Sequence, residues 1–328
     1  HVLCHDMTQI IKDQYKDARF RKGHVVTEED IPVLLSMGKE HLYVWEMTPG
    51  MVHENDAAER LLTLCGQENM IRSGVKEGKI ELKAACDGVF LVDSARLVAV
   101  NSQDEVMIAT RKGGMAVREG DKLAGMRVIP LIIEEEKLRK AEQAAGDKPL
   151  LSLKPDVRKT ACIVATGGEV KKGLIKDTFT PVVIDKLKTY GIETLEVVYS
   201  GDGVENVRDA VLAMREKKPD MILCTGGMSV DPDDNTPGGI KAAGANIIAY
   251  GAPVLPGAMF LLGYFDDGMP VMGLPGCVMY AGATVFDLVL PKIAADVPVT
   301  RADLAALGEG GLCLGCKPCH YPICPFGK

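Results

Sequence analysis

The feature that most constrains this chain is a change of pattern near Lys159, where short apolar runs begin to alternate with segments of helical period. Ala161-Cys162-Ile163-Val164-Ala165-Thr166 is an uninterrupted apolar run, as expected of a strand buried on both faces. Leu195–Tyr199, Met221–Thr225 and Pro270–Met272 read as further strands. Between them Thr180-Pro181 reads as the N-cap and first residue of a helix that Gly191 ends. Val204, Val207, Val211 and Met214 recur at helical spacing, and Thr236-Pro237 opens a third helix. This repetition predicts an α/β domain over residues 156–300, with a mostly parallel sheet and helices on both faces. Ligands on such sheets sit at the carboxyl ends of the strands.

The rest of the chain divides into an N-terminal segment (1–46), a smaller β-containing accessory domain (47–155) and a Cys-rich tail (301–328). In the first, Thr27-Glu28-Glu29-Asp30 ahead of Ile31, Val33, Leu34 and Leu35 predicts an N-capped helix closed by Gly38. His41–Trp45 reads as a strand. The accessory region opens with a helix near Glu54–Cys65. Strands over Ile80–Ala85, Val89–Val92, Leu97–Val100 and Val106–Thr110 follow, then a charged helix within 134–148. It carries no chemical motif, and its pattern speaks to structure alone.

Three loops fall where the strand-end rule puts a ligand. They are Thr166-Gly167-Gly168-Glu169 with Asp177 and Thr178 beyond it, the stretch Thr225–Pro237, and Gly273-Leu274-Pro275-Gly276-Cys277. In the second, Gly226-Gly227 lets backbone approach an anion and offer its N–H groups. Thr236-Pro237 then presents a helix start, which favours negative charge. Asp231, Asp233 and Asp234 crowd one turn and would repel one another without a cation. Phosphate-friendly backbone beside carboxylates predicts a phosphorylated ligand with Mg²⁺ held between them. Any one of these loops could be a plain polar turn. Three on one edge of one sheet argue for a site.

Thr166-Gly167-x-Glu169, Ile175-x-Asp177-Thr178, Gly226-Gly227-Met228-Ser229-Val230 and Leu274-Pro275-Gly276 resemble, in order and spacing, the molybdopterin-binding domain family. That family includes molybdopterin molybdenumtransferases, molybdopterin adenylyltransferases and gephyrin. Asp234-Asn235-Thr236-Pro237 is closer to the adenylyltransferase branch, and Asp202 sits where the family carries a functional aspartate. A weaker resemblance to the lead-in of molybdenumtransferases covers Val2-Leu3-x-His5-Asp6 and Ala18-Arg19-Phe20-x-x-Gly23-His24.

The resemblance implies a transferase of molybdenum cofactor biosynthesis. It would take molybdopterin or its adenylylated form, hydrolyse the adenylate with Mg²⁺ and insert molybdate. On this reading Asp234 and Glu169 serve Mg²⁺ and the adenylate chemistry. Asp177 and Asp202 orient pterin or phosphate. Ser229 and the Gly226–Gly227 amides hold phosphate, with Thr166, Gly167, Thr178, Thr236, Pro275 and Gly276 completing the site. Homo-oligomerisation is a further implication. The rival readings are an adenylyltransferase and a non-catalytic protein that holds the cofactor or delivers it to a molybdoenzyme.

The sequence departs from the family twice. Val254-Leu255-Pro256-Gly257-Ala258 stands where molybdenumtransferases carry Pro-Gly-Lys with a second Lys before it, and Cys277-Val278 replaces Asn-Pro. Losing both lysines removes cations suited to molybdate or phosphate. Lys241 is a candidate substitute.

The cysteines divide as well. Cys4, Cys65, Cys86, Cys162, Cys224 and Cys277 are scattered, whereas Cys313, Cys316, Cys319 and Cys324 crowd one short stretch. Their spacing resembles a ferredoxin-like cluster with an extra residue before the last Cys. It suits a Zn²⁺ site equally, and His320 offers a further ligand.

The net charge of -7 gives no sign of a basic face for nucleic acid. No apolar run approaches the roughly 18 residues that span a bilayer, since Pro253, Pro256, Gly257 and Gly263 break the most apolar stretch, Ala252–Phe265. With no charged-then-apolar leader at its start, the chain is expected to be cytoplasmic, without membrane or nucleic-acid partners.

Overall fold

The computed structural model describes the chain except for His1, Val2, Lys12, Asp13, Val44, Trp45, Glu46, Met47, Thr48 and Asp233. It forms two compact units. One comprises His1–Ala85, Val92–Arg111 and Glu119–Ser152, the other Cys86–Leu91, Lys112–Arg118 and Leu153–Lys328. No helix of the described residues is long and apolar enough to cross a membrane.

In the second unit the chain runs β1 (Thr160–Thr166), α1 (Phe179–Lys188), β2 (Glu193–Ser200), α2 (Val204–Glu216) and β3 (Met221–Thr225). It continues through α3 (Thr236–Ala242), β4 (Asn246–Tyr250), β5 (Leu261–Tyr264), β6 (Pro270–Leu274) and α4 (Val285–Ala294). The strands form one six-stranded sheet in the order β2-β1-β3-β6-β5-β4. The pairs β1–β2, β1–β3 and β3–β6 are parallel, while β5 and β4 extend the sheet antiparallel. The chain places β2 on one side of β1 and β3 on the other, which creates a topological switch point between β1 and β3.

Strand side chains alternate between two cores, as period-two geometry requires. Ala161, Ile163 and Leu223 pack with Val183 and Leu187 of α1 and Phe286 and Val289 of α4. Cys162, Val164, Ile222 and Cys224 pack with Val207, Val211 and Met214 of α2 and Ile240 of α3. Helices therefore cover both faces, and burying each such Leu, Ile or Val contributes roughly 1.5–3 kcal/mol.

The expected α/β class is what the chain adopts, with differences at several elements. Helix α1 begins at Phe179, ahead of the predicted Thr180 cap. Asp177 supplies the acceptor, its Oδ1 receiving the Phe179 and Thr180 amides at 2.9 and 3.0 Å. Helix α3 starts at Thr236 behind Asn235, so the Thr236 hydroxyl is free for another task. The strands β4 and β5 and the helix α4 were not anticipated.

In the first unit, four antiparallel strands stand in the order Met70–Arg72, Ile80–Ala84, Lys122–Val128, Val106–Thr110. Leu97–Val100, expected as a strand, lies in a helix, Ser94–Asn101, because the Asp93 side chain accepts the Arg96 amide at 3.1 Å and caps it. The Met7–Ile11 and Tyr15–Phe20 strands form a hairpin, and Leu3, Met7, Phe20 and Leu34 make a small core of their own. Of the strand expected at His41–Trp45, Val44 and Trp45 lie outside the described residues and His41–Tyr43 are not in a strand.

Candidate functional site

The strand-end loops meet in a polar knot at the switch point. The Thr236 hydroxyl donates to the Gly226 carbonyl at 2.9 Å and lies 3.1 Å from the Thr166 hydroxyl, which donates to the Thr225 carbonyl at 3.0 Å. The Thr236 amide donates to the Gly227 carbonyl at 3.1 Å, closing the loop on itself. Thr236 is 1% exposed, so these hydroxyl bonds form away from water, where an unpartnered carbonyl would be costly.

The glycines are required by this geometry. Gly226 has φ +82°, and a Cβ there would come within 2.4 Å of the Thr166 carbonyl oxygen. Gly227 has φ +55°, and its Cβ would meet the Thr236 hydroxyl at 2.7 Å. Only residues without a side chain allow the loop after β3 to lie so close to the end of β1.

Beside this knot lies a cavity of about 490 Å³. Its walls bring together Gly226, Gly227, Ser229 and Asp234 from the loop after β3 and Pro275 and Gly276 from the loop after β6. Met228, Ala258, Met259, Cys277, Met279 and Tyr280 complete the lining. Thr166 and Thr236 support the glycine wall through the knot. The remaining expected residues do not line the cavity. Glu169 is exposed on a short helix, Gly168–Lys171. Asp202 binds the Gly168 amide through Oδ2 at 3.0 Å, while Gly167 (φ +137°) makes the turn into that helix. Thr178 is exposed, its hydroxyl 3.0 Å from the Met279 sulfur.

Asp177 is engaged in its cap and in a 3.2 Å bond from the Tyr199 hydroxyl. Burial alone would raise its carboxyl. Hydrogen bonds from Thr180, the Phe179 amide and Tyr199 outweigh that and hold it below its ordinary value.

Asp234 is the one charged residue among the described lining residues, none of which is Lys or Arg. Of the two positions where the family's lysines are absent, Ala258 lines the cavity and also an adjoining groove, which Leu255 lines together with Leu312. Lys241 is exposed on α3 and does not line the cavity. The Cys277 thiol is pushed up by burial and so remains a neutral thiol at neutral pH.

Among the described residues no three His, Cys, Asp or Glu side chains are grouped to hold a metal ion. A lone cavity carboxylate fits magnesium shared with the phosphates of a bound substrate, which takes one or two protein carboxylates, and does not fit an all-protein cage. The four tail cysteines are free thiols that fall under the same statement.

Sequence reasoning missed Tyr250, whose hydroxyl donates to the Met228 carbonyl at 3.0 Å and steadies the loop after β3. Burial pushes that hydroxyl up, and the charge of Asp234 adds to the effect. It also missed Met259 and Tyr280. The available signal for Tyr280, 77% exposed, was an aromatic shortly after Leu274-Pro275-Gly276, where a planar ring could be covered.

A family model described as "Probable molybdopterin binding domain" matches residues 162–295, the stretch that carries all of these loops. This segment belongs to the molybdopterin-binding domain family. A second model, described as "Domain of unknown function (DUF8806)", matches residues 1–46, ahead of the molybdopterin-binding domain.

Among curated proteins, a CinA-like protein of Mycobacterium tuberculosis is 33% identical over 76 residues, which is 23% of this chain and 18% of that protein. The chain thus matches less than a fifth of that relative's length. Among solved structures, the Mog protein of molybdopterin biosynthesis from Mycobacterium ulcerans is 22% identical with a TM-score of 0.36, covering 43% of this chain and 96% of that one. The molybdopterin biosynthesis enzyme MoaB from Thermus thermophilus is 17% identical with a TM-score of 0.36, covering 43% and 98%.

Proposed function

We propose that the molybdopterin-binding domain takes molybdopterin, or its adenylylated form, as substrate in molybdenum cofactor biosynthesis, with chemistry of the molybdenumtransferase kind. The observation that carries this reading is the convergence of the Gly226–Asp234 and Pro275–Gly276 loops on one cavity at the carboxyl edge of the parallel strands. The Gly226-Gly227 backbone lets a phosphate come close, and the Ser229 hydroxyl is a donor for it. Met259, Met279 and Tyr280 offer an apolar and aromatic surface for the pterin ring. Asp234 is the residue that would hold magnesium together with substrate phosphate oxygens, and that ion would supply neutralisation of the phosphate charge.

The lack of a cation in the lining favours a second reading, a cofactor-binding protein that holds or delivers molybdopterin without inserting molybdate.

The test is Asp234→Asn, assayed for hydrolysis of adenylylated molybdopterin with magnesium and for equilibrium binding, with circular dichroism as the check of fold. Loss of about a hundredfold or more in turnover is expected, since a charge poised at the reacting phosphate is removed. The fold should be retained, because Asp234 is partly exposed and its amide bond to Asp231 is independent of the side chain. Wild-type turnover in the variant overturns the enzymatic assignment. Tight binding with no turnover by the native protein selects the second reading. Transfer of AMP from ATP to molybdopterin would instead mark an adenylyltransferase.

A further inference from the structure

The cysteine tail is the motif that the pterin cavity leaves unused, and it docks on the domain. The Leu255 amide donates to the Gly311 carbonyl and the Cys313 amide donates back to the Leu255 carbonyl, both at 2.8 Å, so the tail adds a parallel bridge beside Leu255. Further on, the Tyr321 hydroxyl donates to the Asp287 carbonyl at 3.0 Å, and Phe326 is buried in the core at 2% exposure. The Gly327 amide donates to the Gly310 carbonyl at 2.9 Å. These bonds close residues 311–326 into one loop, with its base fixed to the domain and all four clustered cysteines inside it.

Within the loop the thiols are poised but not gathered. Cys313 and Cys324 are half-buried against the core, while Cys316 and Cys319 are exposed in a stretch without helix or strand. Cys319 packs over Gly282, where a Cβ would come within 2.7 Å of its sulfur. Bringing exposed thiols toward half-buried ones therefore breaks no regular element. Leu255 is three residues from Ala258, which lines the pterin cavity.

We propose that Cys313, Cys316, Cys319 and Cys324 form a four-thiolate centre for a soft metal, zinc or an iron–sulfur cluster, on a loop whose base is bonded to Leu255 beside the cavity wall. Four thiols in one closed loop match the thiolate set that such metals select over oxygen donors. Each thiol gives up its proton to solvent as it ligates, and the metal brings together thiols that are not grouped in the free loop. Once filled, the centre stiffens the loop and with it the Leu255 backbone.

The experiment uses the full chain, purified without oxygen or chelators, and reads zinc, iron and acid-labile sulfide. About one zinc per chain, or iron with matching sulfide, is expected, and the sulfide distinguishes the two. Cys316→Ser with Cys319→Ser, both exposed positions, should lower metal content at least tenfold with an unchanged circular dichroism spectrum. Titration of the reduced, metal-free chain with Co²⁺ should give the intense sulfur-to-cobalt charge-transfer band of a thiolate site. Hydrogen exchange at the Leu255 and Cys313 amides should slow when metal is bound. Absence of metal together with no thiolate band on Co²⁺ addition would overturn the centre, and so would full metal content in the double variant. Exchange at Leu255 that ignores the metal would overturn its coupling to the cavity wall. None of these readouts depends on pterin binding.

Discussion

The loop after β3 and the cysteine loop are both closed at the base by a backbone bond, Thr236 to Gly227 in one and Gly327 to Gly310 in the other. Their interiors differ. In the first, the Thr236 hydroxyl is bonded to Gly226 and the Tyr250 hydroxyl to Met228, so the glycine end of the loop is held before a substrate arrives. In the second, the backbone is irregular and two thiols face solvent. A loop ordered in advance spends little binding energy on ordering, whereas a loop that its ligand must order draws on the affinity of that ligand. The first arrangement suits a substrate that must come and go, and the second suits a metal that stays.

The largest expected effect comes from disturbing the pre-formed loop. Gly226→Ala places a side chain at φ +82°, with its Cβ within 2.4 Å of the Thr166 carbonyl oxygen. Left-handed strain and overpacking together should cost roughly 3 kcal/mol. Urea unfolding should show that loss, and pterin binding should fall below detection because the wall itself moves. A variant with native stability and affinity would mean that the loop is as adaptable as the tail, and the contrast between them would fail.

That contrast was only partly legible in the sequence. Met221–Thr225 is buried at all five positions, so an unbroken apolar run between turn residues marked the strand end to end. The glycines and aspartates after it marked the ligand edge for the same reason, since their chemistry is local. Helix α4 was illegible because Val285, Phe286, Leu288, Val289, Leu290 and Ile293 are all buried, which erases the amphipathic period, and Pro291 argues against a helix. Tyr250 and Met259 reach the site from a strand and a loop whose Gly- and Pro-broken sequence carries no period. Their role depends on the pairing that sets β4, β5 and β6 beside β3, which the local sequence does not state. Glu169 shows the converse. The family resemblance assigned it to Mg²⁺ and the adenylate chemistry, but it is exposed on a short helix and does not line the cavity.

A smaller effect is expected at Asp177, which caps α1 and does not line the cavity. Asp177→Ala removes the acceptor of the first-turn amides of α1 and should cost about 1 kcal/mol at neutral pH. The folded carboxyl is held below its ordinary value, so its contribution is present above the ordinary carboxylate range and is lost as pH falls through the lowered value. Urea midpoints of native and variant protein should therefore converge on acidification. A gap that persists unchanged in acid would show that the charge of Asp177 has no part in the cap.

The smallest effect is expected at Cys316 in the metal-free protein, and it bears most directly on the comparison. Cys316 is exposed in a segment without regular structure, and no hydrogen bond joins its thiol to another described residue. Cys316→Ser should then shift the stability of the metal-free chain by no more than about 0.5 kcal/mol, as surface substitutions do. With metal bound the same substitution removes one thiolate, and the stabilisation that binding adds to the folded state shrinks with the lost affinity. Paired thermal melts with and without a chelator read both quantities in one experiment. A large loss in the chelated protein would mean that the cysteine loop is already ordered around Cys316. Its distinction from the glycine loop would then disappear.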